Sequence, residues 1–345
     1  MIHVYPNTKV YVHCPAGVVT GGAELLHQLV DTLNRNHINA YIVYFGTSDH
    51  SVPDDYRNYN INVSEYVEDH PDNIEVIYEG RFDLVRVNKK IQKFLWWLSV
   101  DNFYICSTPF LSVLDIASFN KKLAVKALLR QIKRLLMNKD RTLLHPLTLA
   151  ELRKMNILHG YQSEYAQNFL QKLKFRETIA LKDFINTDHQ YDSTLKKKNV
   201  VLYNPKKGFE FTKKIIASAP HISWIPLVGM SREQLIKTIK SAKVYIDFGY
   251  HPGKDRLPRE CAMNGCCIIT GYSGSAGFFE DVAIPNGYKF NKTGHEIKRI
   301  ISKIEYIFEN YDSAIKDFHM YRKIIGREKA EFEDQVALIF GYQRI

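Results

Sequence analysis

Arg259-Glu260-Cys261-Ala262-Met263-Asn264-Gly265-Cys266-Cys267-Ile268-Ile269-Thr270 is the stretch on which the fold is decided. Pro258 to Asn264 has the make-up of a short helix and Gly265 stops it. Cys266 to Ile269 is an apolar run that suits a buried strand, Cys266 to Thr270. A glycine-rich stretch, Gly271-Tyr272-Ser273-Gly274-Ser275-Ala276-Gly277, follows at once. Helix, buried strand and glycine loop in that order are parts of a parallel βα unit.

The same alternation runs outward from this point. Upstream lie a strand at Val200–Tyr203, a loop from Asn204 to Gly208, and a helix reaching about Ala219. A strand at His221–Val228, a helix at Ser231–Ala242 and a strand at Lys243–Phe248 come next. Ser231 and Gln234 form a capping-box pair, which marks that helix start. Between Asn186 and Lys198 the chain turns polar and ends in Lys196-Lys197-Lys198, the composition of a linker. Before it, strands are expected at Lys9–His13, Ala40–Phe45, Lys93–Leu98 and Asn156–Tyr161, with a helix from Gly22 that carries Leu25, Leu26, Leu29, Val30 and Leu33. The last fifty residues are mostly helical. The class is therefore α/β, with two Rossmann-like domains.

Composition sets the outer limits. A chain of 345 residues holds about two domains. With 45% hydrophobic and 24% charged residues it is neither disordered nor of low complexity. The net charge of +10 favours anionic partners. No motif that reads DNA or RNA accompanies that charge, so nucleic acid is not expected as a partner. Met1 to Asn7 lacks the basic and apolar regions of a secretory signal, which points to a cytoplasmic protein. The apolar run Phe94–Leu98 is far shorter than the roughly 20 residues of a membrane span. Cys14, Cys106, Cys261, Cys266 and Cys267 contain no C-x-x-C and suit buried thiols, so neither disulfides nor a zinc site are expected.

Four features bear on chemistry. Thr20-Gly21-Gly22-Ala23-Glu24 lies at a strand-to-helix junction, where Gly21 and Gly22 allow close backbone approach and the helix offers N–H groups to an anion. Asn204-Pro205-Lys206-Lys207-Gly208 follows the second domain's first strand, at the edge where open α/β sheets hold ligands. Lys206 and Lys207 there can neutralise a diphosphate; a solvated turn has the same composition. His251-Pro252-Gly253-Lys254-Asp255-Arg256-Leu257-Pro258-Arg259-Glu260 sets basic groups, an imidazole and acids after another strand. Lys254 and Arg256 suit phosphates, as point charge and fork, and Glu260 can accept ribose hydroxyls. Gly274-Ser275-Ala276-Gly277 can present backbone N–H groups to a phosphate or sugar.

Taken in order, these segments resemble the GT-B glycosyltransferases, most of all the retaining family 4 type. Gly21 to Glu24 resembles that family's N-terminal glycine loop, and Gln162-Ser163-Glu164-Tyr165 its Ser-x-Tyr/Phe segment. Lys206-Lys207-Gly208 resembles its lysine-glycine phosphate motif, and Arg259 to Ile269 its Glu-Ala-Met-Ala-x-Gly-x-Pro-Val-Ile segment. The resemblance implies two domains facing across a cleft: residues 1–186 for the acceptor, 187–320 for the donor, and a C-terminal helix, 321–345, returning to the first domain. It implies a nucleotide-sugar donor, with Lys207, Lys254 and Arg256 on the diphosphate, Glu260 on the ribose and Gly274, Ser275 and Ala276 by the sugar. Asn204, Lys206 and His251 complete the donor set, with His251 near the sugar or phosphate. Asp101 and Asn102 are candidates for acceptor-side acid–base work; a capped turn explains them as well.

One departure stands out. The family has two glutamates with seven residues between them, and Pro252 stands where the first is due. No Asp-x-Asp triplet occurs, so no metal or other cofactor is expected, and lysines, arginine and helix N-termini take over the leaving diphosphate. The activity implied is sugar transfer to a glycan or lipid-linked acceptor in surface polysaccharide or lipopolysaccharide synthesis. The alternatives are a non-catalytic GT-B protein that binds glycan or anionic membrane, and a sugar-nucleotide epimerase.

Lys121 to Lys139 carries seven basic residues and no acid, with apolar residues at helical spacing. Such a helix can lie peripherally on the anionic, cytoplasmic face of a membrane or dock on the protein's own core.

Overall fold

The computed structural model describes residues 2–46, 49–100, 102–103, 117, 121–136, 149–186 and 189–342. The chain divides into two compact units, Met1–Asp183 with Ala330–Ile345, and Phe184–Lys329. Each is a parallel sheet flanked by helices.

The first unit holds seven strands: β1 (Lys9–Pro15), β2 (Asn39–Phe45), β3 (Asn62–Val63), β4 (Ile74–Tyr78), β5 (Gln92–Trp97), β6 (Leu158–Tyr161) and β7 (Thr178–Ala180). Their order is β3-β2-β1-β4-β5-β6-β7, all pairs parallel. Val10, Val12 and Cys14 are fully buried, as expected of a strand covered on both faces. The strand order reverses between β1 and β4, which opens a crevice at their C-terminal ends. β3, β4 and β7 have no counterpart among the strands read from sequence. The helix Glu328–Phe340 lays its later residues on this sheet: Phe332 stacks 6.4 Å from Trp96, and Phe340 lies 6.3 Å from Phe94. Gln335 Oε1 accepts the Lys182 backbone N–H at 2.7 Å. The C-terminal helix thus packs on the N-terminal domain.

The second unit holds β8 (Lys198–Tyr203), β9 (Ser223–Pro226), β10 (Ala242–Asp247) and β11 (Cys267–Thr270), in the parallel order β11-β10-β8-β9. Val201, Leu202, Val244, Ile246, Ile268 and Ile269 are fully buried and form its centre. Ser231 and Gln234 make the expected capping box at the head of Arg232–Ser241. Cys14, Cys261, Cys266 and Cys267 are buried free thiols; Cys106 lies outside the described residues. Here the order reverses between β8 and β10, so the loops after those two strands flank the second crevice. Among the described residues no helix is long and apolar enough to cross a membrane.

Candidate functional site

At the C-terminal edge of the second sheet, the loops after β8 and β10 touch through their glycines. Gly208, with φ +62°, caps the helix Phe209–Ser218, and a Cβ there would sit 2.4 Å from the Phe248 carbonyl. Only glycine meets both demands. Asn204 Oδ1 accepts the Lys206 backbone N–H at 3.0 Å, which folds the loop so that Lys206 is exposed and Lys207 half-buried. The helix N-terminus and two lysines therefore share one edge.

The loops after β10 and β11 run on beside each other past the strand ends. His251 N–H donates to Ser273 O at 3.2 Å, and Ser275 N–H donates to His251 O at 2.8 Å. The Ser275 hydroxyl donates to Gly253 O at 2.7 Å. Gly274, with φ +70°, passes so close that a Cβ would lie 1.9 Å from His251 O. Behind this loop the Lys289 ammonium donates to Ala276 O at 2.9 Å, and burial pushes its pKa down to about 8. The Gly274–Ala276 turn is thus held from two sides.

Charges alternate across the same loops. Lys207 Nζ donates to both Asp255 oxygens at 2.7 Å. Asp255 Oδ2 lies 3.6 Å from His251 Nδ1, and His251 Nε2 lies 3.3 Å from Asp247 Oδ1. Asp247 also accepts Gly249 N–H at 2.8 Å and the Tyr245 hydroxyl at 2.9 Å. His251 is wholly buried, which lowers its pKa, but the charges of Asp247 and Asp255 outweigh burial and raise it. Burial raises Asp247, and the facing imidazole overcomes this to hold the carboxyl below its ordinary value. Oxygens and nitrogens of Asp247, His251 and Asp255 fall within 4.8 Å of one another, a spacing that suits a metal. However, an ammonium already sits on both Asp255 oxygens, and N–H and O–H donors fill Asp247. A cation would have to displace Lys207, so the donor set fits an ion-pair chain better than a metal centre.

Lys254 is 5% exposed and its Nζ lies 2.6 Å from Glu328 Oε1. Glu328 Oε2 accepts from Arg259 Nη1 at 2.8 Å, and Arg259 Nη2 donates to Lys254 O at 3.0 Å. The Lys254 ammonium is thus turned into a buried triad. Arg256 Nη2 donates to Phe184 O at 3.2 Å. Glu260, on the helix Arg256–Met263, lies 3.8 Å from His189 Nε2, whose Nδ1 accepts from Asn264 Nδ2 at 2.7 Å. Lys207, His251 and Ser275 therefore meet around the joined loops, Lys206 stands in solvent, and Lys254 faces the start of the last helix. Asp247, Asp255, Lys289 and Glu328 escaped sequence reasoning; the Asp247–His251–Asp255 spacing of four is visible in the chain, but in a loop it does not imply contact.

In the first unit Gly21 and Gly22 open the helix Gly21–Arg35, whose N-cap Thr20 accepts Ala23 N–H at 3.4 Å. Asp101 lies outside the described residues. Asn102 donates to Glu79 Oε1 at 3.2 Å, and Glu79 also accepts the Leu98 and Ser99 backbone N–H groups at 2.8 and 3.0 Å. Glu79 follows β4 at the first crevice and is fully buried; burial pushes its pKa up to about 8 against these donors. It too was missed.

Solved structures share this architecture. Sucrose-phosphate synthase from Thermosynechococcus elongatus superposes with a TM-score of 0.64 at 11% identity, over 96% of this chain and 98% of that one. Anabaena HepE, crystallised with UDP-glucose, gives 0.59 at 10% identity over 96% and 99%. WaaG, a glycosyltransferase involved in lipopolysaccharide biosynthesis, gives 0.59 at 10% over 95% and 99%. The chain has the GT-B fold. At such identities the likeness is one of fold, and GT-B describes the two units and the C-terminal return together. No protein-family model matches the sequence, and a search of curated proteins finds no match.

Proposed function

We propose that this GT-B protein is a glycosyltransferase that moves a sugar from a nucleotide-sugar donor to a glycan or lipid-linked acceptor. The observation that carries the reading is the convergence of Lys207, the Gly208-capped helix N-terminus and the Gly274–Ala276 turn on one sheet edge. A diphosphate placed there meets an ammonium and backbone N–H groups, and these stabilise it as it leaves. Asn204, Lys206, Arg256 and Glu260 fall on the same loops or the helix that follows. The transfer is metal-independent in this reading, because fixed cations replace a divalent ion. It is retaining, with the departing phosphate taking the acceptor's proton, and it serves surface polysaccharide or lipopolysaccharide assembly, as the resemblance to family 4 implies.

A lipid-linked acceptor brings the protein to a membrane, and the helix Lys121–Leu136 supports that part of the reading. Val125, Leu129, Ile132 and Leu136 are exposed at spacings of four, three and four, and so share one face. Lys121, Lys122 and Lys133 are exposed beside them; residues 137–139 lie outside the described residues.

A second reading has its own support. Pro252 replaces the first glutamate, and Lys254 is engaged by Glu328. Both favour a non-catalytic GT-B protein that binds glycan or membrane. Titration of UDP, GDP, ADP and CMP, then of their sugar conjugates, tests the two. Sugar release or transfer that falls strongly in Glu260→Gln is the expected result; nucleotide binding without turnover in the wild type would support the second reading. Sugar isomers formed without acceptor would mark an epimerase.

A further inference from the structure

Lys207 is the cation best placed to meet a diphosphate, and Asp255 already occupies it with both oxygens at 2.7 Å. A carboxylate left beside an arriving phosphate repels it, so Asp255 needs another partner. One lies behind it. His251 Nδ1 is 3.6 Å from Asp255 Oδ2, beyond hydrogen-bond length, and this buried nitrogen has no hydrogen-bond partner. The other ring nitrogen also lacks a hydrogen bond, but Asp247 lies 3.3 Å from it, and Tyr245 and Gly249 hold Asp247 in place. The imidazole is pinned through its backbone, by the His251–Ser273 and Ser275–His251 hydrogen bonds.

We propose that Asp255 is an exchangeable cover on Lys207: an incoming diphosphate takes the ammonium, and Asp255 swings onto the Nδ1–H of His251. Asp255 and His251 are then positioning residues that set how tightly the edge holds its anion. Neither touches the donor's reacting atoms. The exchange gives the Lys207 ammonium to the diphosphate and leaves Asp255 sharing the imidazole with Asp247, and no covalent bond changes. It rests on the reading of this edge as a diphosphate site.

Calorimetric titration of inorganic pyrophosphate and of the four nucleotides into wild type, Asp255→Asn, His251→Gln and the double variant tests it. Asp255→Asn should bind roughly fivefold tighter, the scale of one partly exposed ion pair. His251→Gln should bind more weakly, because the displaced carboxylate stays beside the ligand. In the double variant the His251→Gln effect should vanish. Weaker binding by Asp255→Asn, or an equal His251→Gln effect in both backgrounds, overturns the exchange while leaving the diphosphate site standing. If no probe binds wild type more tightly than Lys207→Met, the site and the exchange fall together. Should His251→Gln not fold, the wild-type His251 Nδ1–H resonance decides: pyrophosphate shifts it if Asp255 arrives, and an unmoved signal rejects the exchange.

Discussion

Glu328 holds Lys254 at 2.6 Å, in a pocket where the two are 3% and 5% exposed. Its second oxygen serves Arg259, which is wholly buried. Glu328 is the second-last residue of the second unit, so the loop after β10 is tied to the point where the chain leaves that unit. Removing one partner of a buried ion pair strands the others in a medium that solvates them poorly. Glu328→Ala should therefore cost about 3–5 kcal/mol in urea unfolding. Glu328→Ala with Lys254→Met should lose less than Glu328→Ala alone, and a loss equal to the sum of the two single-variant losses would show that the pair carries no coupling.

Gly274 takes φ +70° and leaves no room for a methyl group against His251 O. Gly274→Ala combines a strained backbone with a clash, at about 1–3 kcal/mol for the strain alone. The turn should detach from the β10 loop, with a lower melting temperature and loss of nucleotide binding. Gly294 and Gly17 are useful controls, since a Cβ at either meets nothing within 4 Å; Gly294 lacks the left-handed backbone that Gly17 shares with Gly274.

Glu79 is held protonated up to about pH 8 by burial, against 4.5 for the free side chain. Between those values the folded chain binds more protons than the unfolded chain, so stability contributed by this group falls as pH rises from 4.5 to 8. Glu79→Gln removes the titration and should flatten that part of the stability–pH curve, measured by denaturant unfolding at several pH values. An unchanged slope would mean that its N–H donors keep the carboxylate ionised.

The apolar face of Lys121–Leu136 calls for a lipid experiment. Liposome flotation with anionic vesicles should fall for Lys126, Arg130, Lys133 and Arg134 changed to Glu. It should also fall for Leu129→Ser with Ile132→Ser, which alters exposed side chains only. Binding should weaken with salt for the wild type. Equal flotation of all three proteins would leave the helix with no membrane role.

Much of the scaffold follows from local patterns. Buried parallel strands are apolar throughout, as at Val200–Tyr203 and Cys266–Thr270, and caps such as Ser231 with Gln234 act over one helical turn. Such signals lie within a few residues of each other, and so the α/β class, the two-domain plan and the glycine loops were legible in the chain. β4 was not: Glu75 interrupts its apolar run, and the buried carboxylate is explained by partners from elsewhere in the chain, His13 of β1 at 2.7 Å, Asn88 at 3.1 Å and Lys93 at 3.7 Å. Tertiary structure alone decided which charges meet. Lys254 and Arg256 look alike in sequence as phosphate ligands, yet one turns to Glu328, 74 positions on, and the other to Phe184 O. Residue type determines that a cation needs a partner; the partner is chosen by packing that brings distant parts of the chain within hydrogen-bond distance, which no local spacing encodes.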